Sequence, residues 1–207
     1  MKRNLICFMI ALMATSMAFV SCNKDNKDDS GYLIEVKNVQ NTNDDINQVK
    51  AQLASEVLVD SKYDDGAFTL NLPKTVSNAL LKNGSNDGLF GLIEIVALNK
   101  QKKMIGEFSY QDGNKSVRAY YTYANNNFNF EYTNKQETVP QIWNCSFTKG
   151  WNIIYAEFKE DETILTTQKP SGVNLKWYFF PNKKGNSQSN TSNSLLGEIT
   201  IPKLTIK

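Results

Sequence analysis

Few residues in this chain could do chemistry, because its 207 residues include three cysteines and no histidine. Without imidazole there is no Ser-His-Asp triad, no Cys-His dyad and no His-ligated zinc site. Three thiolates are also too few for a zinc site built from four cysteines. Cys145 alternates with Trp143 and Phe147, which predicts a buried thiol without the nearby base or positive charge that reactivity requires. We therefore predict no catalytic residue, no metal site and no cofactor.

Paired acidic residues are the one route to enzymatic activity that the composition leaves open. A glycoside hydrolase places two carboxylates on opposite sides of the scissile bond. The available groups are Asp44 with Asp45, Asp64 with Asp65, and the acidic run 160–162. Each lies at a predicted turn or loop, where acidic side chains are favoured for backbone reasons. A carboxylate-based hydrolase is therefore the least favoured function.

Aromatic side chains on the outward faces of predicted strands are a better indication of function. Arg118 and Tyr120 share one such face, and Lys176 and Tyr178, followed by Phe180, share another. Aromatic rings beside cationic groups can stack on sugars or peptides and hydrogen-bond to them. We predict Arg118, Tyr120, Lys176 and Tyr178 as ligand-binding residues. The alternative is that these faces are covered by another sheet or by the polar loop 181–193.

The elements that would position these residues are β-strands. From Gly31 onward, apolar residues recur with a period of two, which indicates strands with one buried face. Turn signals such as Asp65-Gly66 and Asp112-Gly113 separate them. Predicted strands include 57–63, 67–72, 104–110, 117–123, 128–132, 151–158, 163–167 and a last one at 195–206. About ten to twelve such strands predict an all-β antiparallel sandwich with one short helix at 75–82.

Domain organisation follows from the changes in composition along the chain. We predict a signal peptide at 1–21, a flexible acidic tether at 22–30 and a β-sandwich at 31–207. The sandwich is either one unit or two packed subdomains with a sub-boundary near 83–91, where the sequence is rich in Gly and Asn.

The N-terminal segment determines the expected location. Lys2 and Arg3 precede an apolar run of about fourteen residues, which is shorter than the ~20 that a membrane-spanning helix needs. Its end, Ser21-Cys22, resembles a lipobox, which implies lipid attachment at Cys22. The alternative is an ordinary secretory signal with an incidental cysteine. If Cys22 is lipidated, two or more acyl chains would hold the protein stably on a membrane.

Charge excludes one class of partner. The net charge of +2 belongs to Lys2 and Arg3, since 23 − 2 = 21 basic residues face 21 acidic residues afterwards. This balance does not indicate a nucleic-acid partner, because a protein that binds nucleic acid usually carries a clear excess of basic residues. The acidic residues after Cys22 resemble the surface-export signal of Bacteroidetes lipoproteins, which implies an outer-membrane protein facing outward. A periplasm-facing position is the alternative.

Two resemblances extend along the predicted sandwich. The segment 47–73, with Tyr63-Asp64-Asp65-Gly66 leading into Phe68 and Leu72-Pro73, is similar to transthyretin-like sandwiches. The chain also resembles a family of uncharacterised Bacteroidetes surface lipoproteins with an Ig-like or transthyretin-like fold, over most of residues 31–180. The shared pieces are the segments 65–73, 143–147, 149–155, 169–172 and 176–179. This resemblance implies a β-sandwich lipoprotein and no established activity.

The sequence therefore favours a non-catalytic binding or adhesion module for a glycan or a protein. The alternative is a structural or accessory subunit of an outer-membrane complex. The oligomeric state and the identity of the ligand remain open.

Overall fold

The computed structural model describes residues 31–135, 139–182 and Ile199. The predicted signal peptide, the tether with Cys22, and all of the predicted final strand except Ile199 lie outside the described residues. So does most of the predicted loop 181–193, of which only Pro181 and Asn182 are described.

The regular secondary structure of the described residues is β-strand apart from one 3-10 turn, which confirms the all-β prediction. The strands are β1 (Tyr32–Val36), β2 (Gln48–Leu53), β3 (Glu56–Lys62), β4 (Phe68–Leu72), β5 (Asn83–Ser85), β6 (Gly88–Leu92), β7 (Glu94–Leu98), β8 (Met104–Gln111), β9 (Val117–Ala124), β10 (Phe128–Asn134), β11 (Gln141–Phe147), β12 (Gly150–Phe158), β13 (Thr163–Thr166) and β14 (Lys176–Pro181).

The predicted helix at 75–82 is reduced to a single 3-10 turn, Asn78–Leu80, which the Ser77 hydroxyl caps by accepting the N–H of Ala79. Leu81 leaves this turn in an extended conformation and is buried in the core. The next residues, β5, then pair with β6. Strand pairing therefore ends the helix before it can complete an α-helical turn.

Two sheets face one another, as the sandwich prediction requires. A long sheet has the order β10-β11-β13-β12-β9-β8-β7-β2-β3, with β14 joined to β8 and β6 joined to β9. A second sheet contains β1 and β4. Ring contacts join them, because Phe68 of β4 lies 4.9 Å from Phe108 of β8 and 5.8 Å from Trp177 of β14. All pairs in the long sheet are antiparallel except β11 with β13.

A fork at the centre of the long sheet determines what surrounds the predicted site. Strands β8 and β9 pair with each other only at Tyr110–Ala119 and Gln111–Arg118. Beyond that point the segment 88–98 separates them, since β6 pairs with β9 and β7 pairs with β8. Ile93, between these two strands, still donates its N–H to the carbonyl of Tyr121. The fork places β9 in the interior of the fold.

Two hydrophobic clusters occupy opposite faces of β9. Tyr123 contributes to the first cluster, and Tyr120 and Ala124 contribute to the second. The first also contains buried residues of β1, β2, β4, β7, β8 and β14, among them Ile34, Val49, Leu70, Phe108 and Phe179. The second contains residues of β6 and β10 to β13, among them Phe90, Phe128, Trp143, Phe147 and Ile154. The segment 83–91 forms β5 and the start of β6, and a division into subdomains there remains a prediction.

Candidate ligand-binding surface

The four predicted site residues lie on one face of three neighbouring strands. Lys176 of β14 is directly opposite Gln111 of β8, which is directly opposite Arg118 of β9. Directly opposed residues of antiparallel strands project to the same side of a sheet. Tyr178 and Tyr120 each follow by two residues on their strands, and therefore share that side. The structure thus brings two sequence-distant pairs onto a common face.

Only half of this set reaches the surface, which corrects the prediction that all four point outward. Arg118 is 4% exposed and Tyr120 is 6% exposed. The reason is that β9 carries core on both faces, and Tyr120 packs in the second cluster with Ile154 and Ile199. The alternative given by the sequence, that this face is covered, therefore holds for Arg118 and Tyr120.

Arg118 is held in a buried polar network. Its Nε donates to Oε1 of Gln111 at 3.3 Å, and one terminal nitrogen donates to the hydroxyl of Tyr120 at 3.3 Å. Ser109 donates to the same oxygen of Gln111 at 3.1 Å. The guanidinium also lies 5.5 Å from the ring centroid of Phe158. Buried polar groups with several partners fix the geometry around them, so this network supports the face that carries Lys176 and Tyr178.

A small cavity adjoins this network at the fork of the sheet. Its volume is about 30 Å³, which is the share of one water molecule in the liquid. Sites for small organic ligands measure ~300–1,000 Å³. The polar side chains that line it include Glu94, Glu107, Ser109, Arg118 and Tyr120. The cavity is too small for a sugar ring or a peptide side chain, so a ligand at this face must bind outside it.

The accessible part of the face is a patch on β14, which we call the β14 patch. It consists of Lys176, Tyr178, Phe180 and Lys115. Both lysines are exposed and both aromatic side chains are half-buried. The two rings lie 6.5 Å apart at an angle of 42°, and Nζ of Lys115 lies 5.9 Å from the centroid of Phe180.

The strand beneath this patch is fixed on both sides. One edge of β14 pairs with β8 along its whole length. At the other edge, Gln40 donates its N–H to the carbonyl of Trp177 at 2.8 Å and accepts the N–H of Phe179 at 2.9 Å. Trp177 and Phe179 point away from the patch and are buried in the first cluster at 8% and 1% exposure. The exposed rings therefore stand on an immobilised backbone, which lowers the entropic cost of binding.

Lys115 is the residue of the patch that the sequence did not indicate. The Asp112-Gly113 turn was expected to be a tight hairpin, but the left-handed residue is Lys115, with φ of 61°. Asp112 organises the loop, since its carboxylate accepts the N–H of Val117 at 2.9 Å and the hydroxyl of Ser116 at 2.7 Å. A loop of this length brings Lys115 over Phe180, and the sequence held no signal for that contact.

None of the groups considered for catalysis is among the residues of the β14 patch. Cys145 is 1% exposed, which confirms the predicted burial, and its Sγ lies 3.5 Å from the carbonyl oxygen of Leu165. Burial raises the pKa of this thiol to about 12, so it is protonated at neutral pH. The acidic residues at 44–45, 64–65 and 160–161 are exposed. Within the described residues, no group of three or more acidic or Cys side chains is placed to hold a metal ion.

Comparisons of the chain with protein-family models, with curated proteins and with solved structures find no match. Across the part of the chain that is described, no helix has the length and apolar character to cross a membrane.

Proposed function

We propose that this protein is a lipid-anchored, outer-membrane lipoprotein, exposed at the cell surface, that acts as a non-catalytic binding or adhesion module for a glycan or a protein. The observation that carries the binding role is the β14 patch. Two partly exposed aromatic rings stand there beside two exposed lysines on a fixed strand.

The chemistry of the patch suits a polar ligand with apolar faces. The ring of Tyr178 offers a stacking surface and a hydroxyl, and the exposed side chains of Lys176 and Lys115 offer charged donors in the same patch. Sugar rings and peptide groups both present flat C–H faces next to hydrogen-bonding atoms. Because aromatic residues with one wet end dominate binding energy at interfaces, Tyr178 is the residue on which affinity should depend most.

The location rests on the N-terminal sequence. Lipid at Cys22 would hold the chain on the membrane without a spanning helix. Replacing Cys22 by alanine should release the protein from the membrane fraction, and continued membrane association would contradict the anchor. Treatment of whole cells with protease should remove the protein; resistance until the cells are lysed would place it on the periplasmic side.

The binding role is tested with the full chain on an array of neutral, sulfated and sialylated oligosaccharides, and by native gel for a protein ligand. The test variant is Tyr178→Ala. Tyr132→Ala is a matched control, because Tyr132 is 39% exposed on β10 at the far end of the long sheet. Loss of about tenfold in affinity for Tyr178→Ala alone supports the patch. If both variants bind the ligand equally well, the β14 patch is not the binding site.

A second candidate, an accessory subunit of an outer-membrane complex, is favoured by a different surface. Leu33 on β1 is 54% exposed and Val57 on β3 is 45% exposed. Among the described residues, β1 pairs with β4 alone and β3 pairs with β2 alone, and exposed apolar side chains on such strands suit packing against a partner protein. If Leu33→Ser abolishes co-migration with an outer-membrane complex while Tyr178→Ala preserves it, the accessory role is the better description.

A further inference from the structure

A polar crevice lies between two turns at the end of β9 that is remote from the β14 patch. The turn between β5 and β6 contributes Asn86 and Asp87, and the turn between β9 and β10 contributes Asn126 and Asn127. Phe128 and Asn129, the first residues of β10, complete the lining. The crevice has a volume of about 590 Å³, which is within the ~300–1,000 Å³ range of small-molecule sites.

Hydrogen bonds between the two turns fix the shape of the crevice. The amide of Asn126 donates to the carbonyl of Asp87 at 2.9 Å. The side chain of Asn125 accepts the N–H of Leu89 at 2.8 Å, and the backbone N–H of Asn125 donates to the carbonyl of Leu89 at 3.0 Å. Asn127 accepts the N–H of Lys149 at 2.6 Å. These contacts form the walls before any ligand arrives, which reduces the ordering cost of binding.

The base of the crevice is packed core. Phe128 is 7% exposed and lies 4.9 Å from Phe147, ring centre to ring centre. Gly88 packs directly on Phe128, since a Cβ at Gly88 would lie 2.3 Å from that ring. The crevice therefore has a rigid base and a polar rim.

The functional groups on the rim are matched to hydroxyl groups. Asn86 and Asn129 are exposed, and in the described part of the chain neither amide takes part in a hydrogen bond. Each amide offers a donor and an acceptor side by side, which is the arrangement that two adjacent sugar hydroxyls can satisfy. Among the described residues that line the crevice, Asp87 is the one carboxylate, and none is a lysine or an arginine.

The residues that line the crevice favour one class of ligand over the others. A phosphorylated, sulfated or acidic ligand would meet Asp87 and no lining cation, which disfavours it. A peptide needs apolar pockets for its side chains, and the one apolar lining residue is Phe128, which is buried. Calcium takes six to eight oxygen ligands, usually with several carboxylates, and Asp87 is a single one. We propose that the crevice binds a neutral glycan through the amides of Asn86 and Asn129 and the carboxylate of Asp87.

This inference rests on the proposed binding function and adds to it a second surface of defined ligand class. The strand β9 ends at Ala124, six residues beyond Arg118, so a rise of ~3.3 Å per residue places the crevice end of β9 about 20 Å along the strand from the Lys176–Arg118 row. The two surfaces can accordingly be tested one at a time.

The experiment titrates the isotope-labelled full chain with neutral gluco-, manno- and galacto-oligosaccharides and follows the asparagine side-chain amide signals by NMR. The variants are Asn86→Ala with Asn129→Ala together, and Asn144→Ala as the matched control. Asn144 is likewise an exposed asparagine on a strand, since it lies on β11, the neighbour of β10. We expect one of the sugars to shift the crevice amides, with affinity lowered about tenfold or more in the double variant and unchanged in the control.

Each outcome assigns success or failure to a particular surface. Neutral-sugar binding that survives in the double variant but is lost in Tyr178→Ala would overturn the crevice and leave the proposed function standing. Binding lost in the double variant but not in Tyr178→Ala would support the crevice and remove the β14 patch as a glycan site. Binding of acidic sugars only, or of none, would overturn the neutral-glycan assignment. If a protein ligand is then detected in the native gel, the proposed binding function stands although the neutral-glycan assignment fails.

Discussion

Replacing Arg118 by methionine gives the sharpest test of the fork at the centre of the long sheet. The sequence places Arg118 on an outward face, where losing its charge would change stability little. The structure buries it at 4% exposure, with contacts to Gln111, Tyr120 and Phe158. Methionine retains much of the volume and removes every hydrogen bond of the guanidinium.

The magnitude follows from those contacts. A hydrogen bond to a charged group contributes ~1.5–3 kcal/mol, and a cation over an aromatic ring contributes ~0.5–2 kcal/mol. Removing the buried charge also relieves its desolvation, which offsets part of the loss. Gln111, at 1% exposure, keeps the hydroxyl of Ser109 as a donor. We expect a net loss of about 2–4 kcal/mol in the free energy of unfolding.

The control lies in the same cross-strand row. Lys176 is the other direct neighbour of Gln111, but it is exposed, so Lys176→Met should change stability by no more than about 0.5 kcal/mol. Urea denaturation of the full chain measures both. At a slope of ~2 kcal/mol per molar urea, Arg118→Met should lower the midpoint by about 1–2 M. If the two variants have the same midpoint, Arg118 is not a buried support and the account of the fork is wrong.

A glycine, a thiol and a carboxylate provide three further checks. Gly106→Ala should destabilise the fold by about 1–3 kcal/mol, because the added Cβ would lie 2.3 Å from the carbonyl oxygen of Phe180. The control is Gly113→Ala, whose Cβ would make an ordinary contact at 3.7 Å. Equal urea midpoints for the two variants would contradict the packing of β14 on β8. Cys145 should resist iodoacetamide at pH 8 until urea unfolds the chain, since its pKa is raised to about 12 by burial; labelling of the folded protein, mapped by mass spectrometry, would refute this. Burial acts to raise the pKa of Asp112, but hydrogen bonds from backbone N–H groups and a hydroxyl outweigh it and lower the pKa. A carboxyl whose pKa is lower in the folded than in the unfolded protein adds stability above its unfolded pKa, and this stability is lost as the pH falls through its folded pKa. Asp112→Asn should therefore reduce the dependence of the free energy of unfolding on pH in the acid range. An unchanged acid dependence would contradict the hydrogen bonds to Asp112.

Strand positions could be predicted from the sequence because apolar and polar residues alternate along the strands. The predicted segments 104–110 and 117–123 agree within one residue with β8 and β9. The turn at Asp65-Gly66 also has the expected left-handed backbone, with φ of 42° and 78°. Period-two patterns and turn residues are local properties, so no knowledge of the tertiary fold was needed.

The burial of Arg118 and Tyr120 could not be read in the same way. The alternation on β9 assigns Val117, Ala119 and Tyr121 to the core, and the polar residues between them to solvent. That assignment assumes one core for each sheet, whereas the fork gives β9 a second cluster on its other face. The separation of β8 from β9 depends on the pairing of β6 with β9, whose paired residues lie 30 to 34 positions apart in the chain, and a single sequence does not encode such a pairing in a local pattern.

The distribution of polar groups is consistent with the proposed binding of a ligand at the surface. The buried polar network around Arg118 adjoins a cavity of about 30 Å³, and its hydrogen bond to Gln111 links β9 to β8. The buried thiol of Cys145 is kept protonated by its surroundings. By contrast, the rings of the β14 patch stand on a strand that is hydrogen-bonded along both edges, and the crevice amides of Asn86 and Asn129 are exposed to solvent. We therefore propose that this fold uses its buried polar groups for rigidity, and that the aromatic and amide groups it displays on β14 and at turns bind a ligand at the surface.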